Sequence, residues 1–106
     1  MNNNPLILIS NDDSINAPGI HLLARIAAQF GDVYVVAPAT PQSGMSSAMT
    51  VNAPLRIKQH NITELGERVK FFDVTGTPVD CVKLAMNSIL PRHPDLMLCG
   101  INHGSN

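Results

Sequence analysis

Two adjacent carboxylates, Asp12 and Asp13, follow directly on the apolar run Leu6-Ile7-Leu8-Ile9-Ser10 and the polar Asn11. Held about 5 Å apart, two such charges repel by roughly 3 kcal/mol at an effective dielectric of about 20. A divalent cation removes that cost, which makes the pair a candidate metal site and a candidate source of acid–base or nucleophilic chemistry. A plainer role is also open to them: one carboxylate solvates a loop, and the other complements the N-terminal dipole of a following helix. Two further segments weigh against the plain role. Gln42-Ser43-Gly44 and Gly100-Ile101-Asn102-His103-Gly104-Ser105-Asn106 each combine neutral oxygens, small side chains and free backbone N–H groups. Such loops suit a hard cation on one side and a phosphate on the other, and glycines such as Gly44 let the backbone approach an anion closely.

The elements that must position these groups follow from periodicity. Residues 6 to 10 are a continuous apolar run of the kind buried on both faces of a parallel sheet. From Pro18, the residues Ile20, Leu23, Ala27 and Phe30 recur every three or four positions, with Leu22 and Ile26 widening the stripe. This spacing predicts an amphipathic helix capped at Asn16 or Ala17 and closed by Gly31. Residues 33 to 38, Val-Tyr-Val-Val-Ala-Pro, predict a second buried strand and hence a βαβ unit. Residues 39 to 54 carry no periodicity and predict a long functional loop. Residues 55 to 60 and 69 to 74 are strand candidates that either pair as a hairpin or join the sheet separately. A second helix restarts at Thr77, which with Pro78 and Asp80 has the composition of a capping box, and Val79, Val82, Met86 and Ile89 are its expected apolar face. Residues 95 to 100 predict another buried strand. The fold class is therefore α/β, a doubly wound and mainly parallel sheet, and the ending straight after a strand reads as a truncation of it. In such sheets ligands bind beyond the carboxyl ends of the strands, where Asp12, Asp13 and both small-residue loops fall.

Composition excludes other classes. At 106 residues the chain forms one domain at most, and 44% hydrophobic against 14% charged residues excludes a disordered chain. Seven basic and eight acidic residues leave no electrostatic footprint for a nucleic-acid polymer, and 4% aromatics leave few platforms for stacking bases. Cys81 and Cys99 lie far apart in apolar runs, without metal or redox spacing, and read as reduced core residues. No signal peptide or membrane-spanning run is legible, so a cytoplasmic location and no membrane partner are expected.

Taken in order along the chain, SNDDSINAPGI at 10 to 20, VVAPATPQSG at 35 to 44, TGTPVDCV at 75 to 82 and PDLMLCGINHGSN at 94 to 106 resemble the successive N-terminal motifs of the SurE family of nucleotidases. The resemblance implies a Rossmann-like three-layer α/β/α fold, of which residues 1 to 106 form the N-terminal part of a single domain. It implies a divalent-metal-dependent phosphatase acting on nucleoside 5′-monophosphates, with 3′-monophosphates and polyphosphate as further substrates, and a homodimer or homotetramer for the full-length form. By motif position it implies that Asp12, Asp13, Ser43 and Asn102 hold one Mg²⁺ or Mn²⁺, that Asp12 and Asp13 are the catalytic pair, and that Asn11, Gly44, Ser105 and Asn106 face the phosphate. All-oxygen donors suit these cations better than zinc. The chain departs from the family in having Ser14 where glycine commonly follows the aspartates, and uncharged Ala39-Thr40-Pro41-Gln42 before Ser43. The longer family members also carry a downstream Ser-Gly-Thr motif.

Whether an aspartate attacks phosphorus or serves a water as general base stays open at this stage. Among the four histidines, His103 lies inside the last loop, where an imidazole can assist proton transfer, yet it reads as a spectator. Two rival readings remain. A receiver-like signalling domain has a similar paired acid after its first strand, but it also needs a lone aspartate after a middle strand and a lysine at a late strand end. The other rival is a catalytically silent fragment of the phosphatase.

Overall fold

The computed structural model describes residues 4–41 and 55–100. Five strands form one sheet: β1 (Leu6–Ser10), β2 (Asp32–Pro38), β3 (Ile57–His60), β4 (Val69–Val74) and β5 (Leu96–Cys99). Their order is β3-β4-β2-β1-β5. All neighbours run parallel except β3, which pairs antiparallel with β4 as a hairpin. Helix α1 (Pro18–Ala27) connects β1 to β2, and α2 (Pro78–Leu84) followed by a π-helical turn at Ala85–Ile89 connects β4 to β5. The mainly parallel α/β architecture is therefore the one expected.

Strand β1 lies inside the sheet, between β2 and β5, which explains its unbroken apolar run. Ile7 and Ile9 join Ile20, Ala24 and Ala27 of α1 in one core, with Val33, Val35 and Phe71. Leu8 faces the other way, toward Val36, Val74, Cys81 and Ala85. Alternation along one strand thus feeds two layers.

Helix α1 starts where expected, with Ala17 at its cap and Pro18 in the first turn, but no side chain caps it. It ends at Ala27, before Phe30, and the chain turns through Phe30 N–H to Ala27 O at 2.9 Å. Gly31 then passes so close to β1 that a Cβ there would lie 2.3 Å from the Pro5 carbonyl oxygen. Of the expected stripe, Leu22, Ile26 and Phe30 are exposed, because the sheet accepts only the narrow face carrying Ile20, Ala24 and Ala27.

Helix α2 has the expected capping box: the Asp80 N–H donates to Thr77 Oγ1 at 3.1 Å, and the Thr77 N–H donates to Asp80 Oδ2 at 2.9 Å. Its buried face differs from the expected one. Val79 and Met86 are exposed, whereas Cys81 and Ala85 are fully buried against the sheet. Two small residues four apart let the helix approach closely. The π-turn, closed by Leu90 N–H to Ala85 O at 2.9 Å, then shifts the phase so that Ile89 and Leu90 pack inward.

Strand β5 is also a correction. Leu96, Met97 and Cys99 are exposed rather than buried. The strand pairs on one side only, with β1, so its apolar composition meets no second neighbour among the described residues. Its entry is fixed by Asp95, whose Oδ2 accepts from the Leu6 N–H at 2.8 Å and from Arg92 at 3.0 Å. The Leu6 amide and then the Arg92 guanidinium hold that carboxyl below its ordinary range.

The two thiols consequently differ. Cys81 is buried, and desolvation, reinforced by the nearby Asp80 charge, pushes its thiol up to about 12, while Cys99 is exposed. At pH 8 a disulfide reagent is expected to modify Cys99 in the native chain and Cys81 only after unfolding, as mass spectrometry of the labelled peptides would show. Among the described residues no helix is long and apolar enough to cross a membrane.

Candidate functional site

The strand order reverses at β1. The chain leaves β1 through α1 to β2 on one side, and returns through α2 to β5 on the other. The crevice of a doubly wound sheet opens at this point, beyond the carboxyl ends. Residues 11 to 17 leave β1 there and carry both aspartates, Asp12 exposed and Asp13 half-buried.

This loop is held at several points. Asn11 is 2% exposed, and its side chain brackets the turn: Nδ2 donates to the Ser14 carbonyl at 3.0 Å, and Oδ1 accepts from the Ser14 N–H at 3.2 Å. Asp12 and Asp13 are therefore carried on a two-residue bulge between Asn11 and Ser14. Ser14 has φ +98°, a conformation L-residues rarely adopt, which explains why glycine suits this position. Serine repays part of the strain, since its Oγ accepts from the Asn16 N–H at 3.2 Å. The Ile15 N–H donates to the Pro38 carbonyl at 2.8 Å, tying the loop to the end of β2. His21, in the first turn of α1, places Nε2 2.9 Å from the Ile15 carbonyl, and its ring stacks on Phe71 of β4 with centroids 4.8 Å apart.

The other two loops start beside it. Gly100, with φ +136°, donates its N–H to the Ser10 carbonyl at 2.9 Å, so the chain beyond β5 leaves next to the end of β1. Ala39 N–H bonds to the Val74 carbonyl at 2.8 Å as the chain leaves β2. The structure thus brings Asn11, Asp12 and Asp13 together with the roots of both small-residue segments. Ser43, Gly44, Asn102, His103, Ser105 and Asn106 themselves lie outside the described residues.

The donors present fit a hard divalent cation. Two carboxylates sit on a rigidly bracketed bulge, and Ser10, 2% exposed at the end of β1, has a hydroxyl without a hydrogen-bond partner among the described residues. Among those residues no group of three or more His, Cys, Asp and Glu side chains is placed to hold a metal, so a cation here would draw on Asp12, Asp13 and neutral oxygens.

Sequence reasoning missed His21 and the Asp73–His60 pair. Asp73 of β4 and His60 of β3 are bonded through Oδ2 and Nε2, with Asp73 only 14% exposed, which anchors the hairpin. The diagonal placement of an acid and a histidine on paired strands becomes visible only once the hairpin register, His60 opposite Phe71, is known. The Asp73 carboxylate, one residue before the end of β4, is engaged by His60, unlike the lone acid that a receiver-like domain requires.

Comparison with known proteins supports the family and the fold. The family described as survival protein SurE matches residues 7–106. A protein of Chlorobium phaeobacteroides named 5′-nucleotidase SurE is 52% identical over 102 residues, covering 96% of this chain and 38% of its own length. One of the same name from Christiangramia forsetii is likewise 52% identical, covering 96% of this chain and 39% of its own length. The crystal structure of the SurE protein from Aquifex aeolicus superposes with a TM-score of 0.77 at 37% identity, covering 96% of this chain and 39% of that one. The chain thus spans about 38% of the length of these curated relatives. On the extent of these matches, the chain belongs to the survival protein SurE family.

Proposed function

We propose that the site is the metal-binding half of a phosphatase that hydrolyses nucleoside 5′-monophosphates to nucleoside and phosphate. One observation carries the reading: two adjacent carboxylates stand on a clamped bulge at the reversal point of a parallel sheet, in a chain half identical to proteins named 5′-nucleotidase. Asp12 and Asp13, joined by Ser43 and Asn102, would hold one Mg²⁺ or Mn²⁺. Bound there, the cation would offset negative charge on the phosphoryl oxygens and acidify water.

The chain's own residues would divide the remaining work. Asn11 and Ser14 hold the backbone that carries the two carboxylates, so binding a phosphate would not require ordering the loop. The backbone N–H groups around Gly44 and the Asn102–Asn106 segment would face the phosphate oxygens, with Asn11 beneath them. A carboxylate oxygen of the pair would accept the proton of the attacking water. The substrate is a small molecule, with 3′-monophosphates and polyphosphate as secondary substrates, and the full-length form is a homodimer or homotetramer.

The test is phosphate release from a panel of nucleoside monophosphates, with and without Mg²⁺ or Mn²⁺, by this chain and by a longer form matching the relatives' length. Release that requires the metal and prefers 5′-monophosphates supports the reading. Metal-independent release, or none from the longer form, contradicts it. Activity of the longer form alone would make the 106-residue chain the silent portion of the enzyme.

A further inference from the structure

We infer that His21 is a positioning residue for the metal site, acting through the Ile15 carbonyl to hold the loop that carries Asp12 and Asp13; the inference rests on the proposed metal reading. A carbonyl oxygen only accepts, so the 2.9 Å contact places the proton on His21 Nε2. Side chains lean toward the N-terminus of their helix, which lets an imidazole in the first turn of α1 reach back over the cap to Ile15. The ring lies nearly parallel to that of Phe71, at an interplanar angle of 27°, and Phe71 is fully buried in β4. His21 therefore ties together α1, the aspartate loop and β4.

The carbonyl it holds is the critical one. Ile15 is 3% exposed and fixed on both sides, its N–H by the Pro38 carbonyl of β2 and its carbonyl by His21. Ser14, immediately before it, keeps φ +98°, which a serine sustains only where its surroundings over-determine it. Asn11 supplies that constraint from the β1 side, and His21 supplies it from the helix side. Between them lie the two carboxylates, whose spacing must be kept within about 0.5 Å for a cation to engage both.

The test uses His21→Phe, which keeps a ring to stack on Phe71 but has no donor, and His21→Gln, which keeps a donor without the ring. Amide hydrogen exchange is followed by NMR in the metal-free chain, and Mn²⁺ affinity by electron paramagnetic resonance. In the Phe variant the Ser14 and Ile15 amides should exchange about five- to tenfold faster, the worth of one hydrogen bond, while those of β2 and β4 keep their protection. Mn²⁺ affinity should fall by a similar factor, and Gln should recover most of both. Unchanged loop exchange in the Phe variant overturns the inference whatever the metal does. Faster exchange with wild-type Mn²⁺ affinity overturns it too, leaving His21 a structural clamp. If the wild type takes up no Mn²⁺ while the loop still loosens, the metal reading has failed on its own account, and the inference falls with it.

Discussion

Replacing either aspartate with its amide, Asp12→Asn or Asp13→Asn, is expected to lower metal-dependent phosphate release in a full-length form by at least about a thousandfold. The substitution conserves shape and one acceptor oxygen, so the bulge between Asn11 and Ser14 has no steric reason to rearrange. What is lost is charge. In the proposed site, one carboxylate facing a dication and a phosphate would be short by a unit of negative charge, which neutral oxygens would not replace. The amide is nearly isosteric with the carboxylate, so the thermal midpoint of the metal-free protein should stay close to that of the wild type. A loss of turnover with an undiminished melting temperature separates a role in the site from a role in folding. Turnover retained at saturating Mn²⁺ would contradict the assignment.

Asn11→Ala is expected to have the largest effect on stability of any polar substitution in the loop. It removes two buried hydrogen bonds at once, leaving the Ser14 N–H without its partner and the Ser14 carbonyl with the Ala17 N–H alone, 3.2 Å away. An unsatisfied buried N–H costs about 1–3 kcal/mol and the second lost hydrogen bond about 0.5–1.5 kcal/mol, which puts the change at about 2–4 kcal/mol. For a chain of this size that lowers the melting temperature by about 8–20 °C. Asn11→Asp is the informative companion. Its carboxylate still accepts from the Ser14 N–H but offers nothing to the Ser14 carbonyl, and it sets a third negative charge beside Asp12 and Asp13. Urea unfolding of both variants would check the ranking, and a wild-type midpoint in the Ala variant would show that the bracket does not hold the turn.

The sheet was largely legible because its central strands follow simple rules. β1 before Ser10 and β2 after Asp32 are apolar runs, as strands covered on both faces must be, and Pro18 and Thr77 mark the helix starts. The errors fall where periodicity admits more than one answer. On α2, Val79 and Met86 are larger than Cys81 and Ala85, but size is not what the sheet selects: close approach selects the small pair, and the π-turn then resets the phase. On β5 an apolar run states what the strand is suited to, not what covers it, and Leu96 and Met97 stand exposed. Cys99 was misjudged for the same reason.

At the site, the acidic pair could be found from residue type and its place after a strand. The devices that hold it could not. The family resemblance sets Asn11 beside the phosphate, and the two hydrogen bonds of its amide to Ser14 are seen only in the fold. His21 carries no motif at all. Its contact with Ile15 spans six residues, and its contact with Phe71 spans fifty, so only the tertiary fold brings them together. The departure at Ser14 was visible in the sequence, but its physical reason, a φ of +98°, belongs to the backbone.

The proposed site requires a divalent cation that gathers its oxygen donors around Asp12 and Asp13. A crystal of the full-length form grown with Mn²⁺, with data collected at a wavelength where manganese scatters anomalously, tests it most directly. One strong anomalous peak is expected about 2.1–2.3 Å from carboxylate oxygens of both aspartates, with Ser43 and Asn102 completing the shell. A peak elsewhere on the molecule, or fully occupied crystals in which neither carboxylate touches the metal, would contradict it.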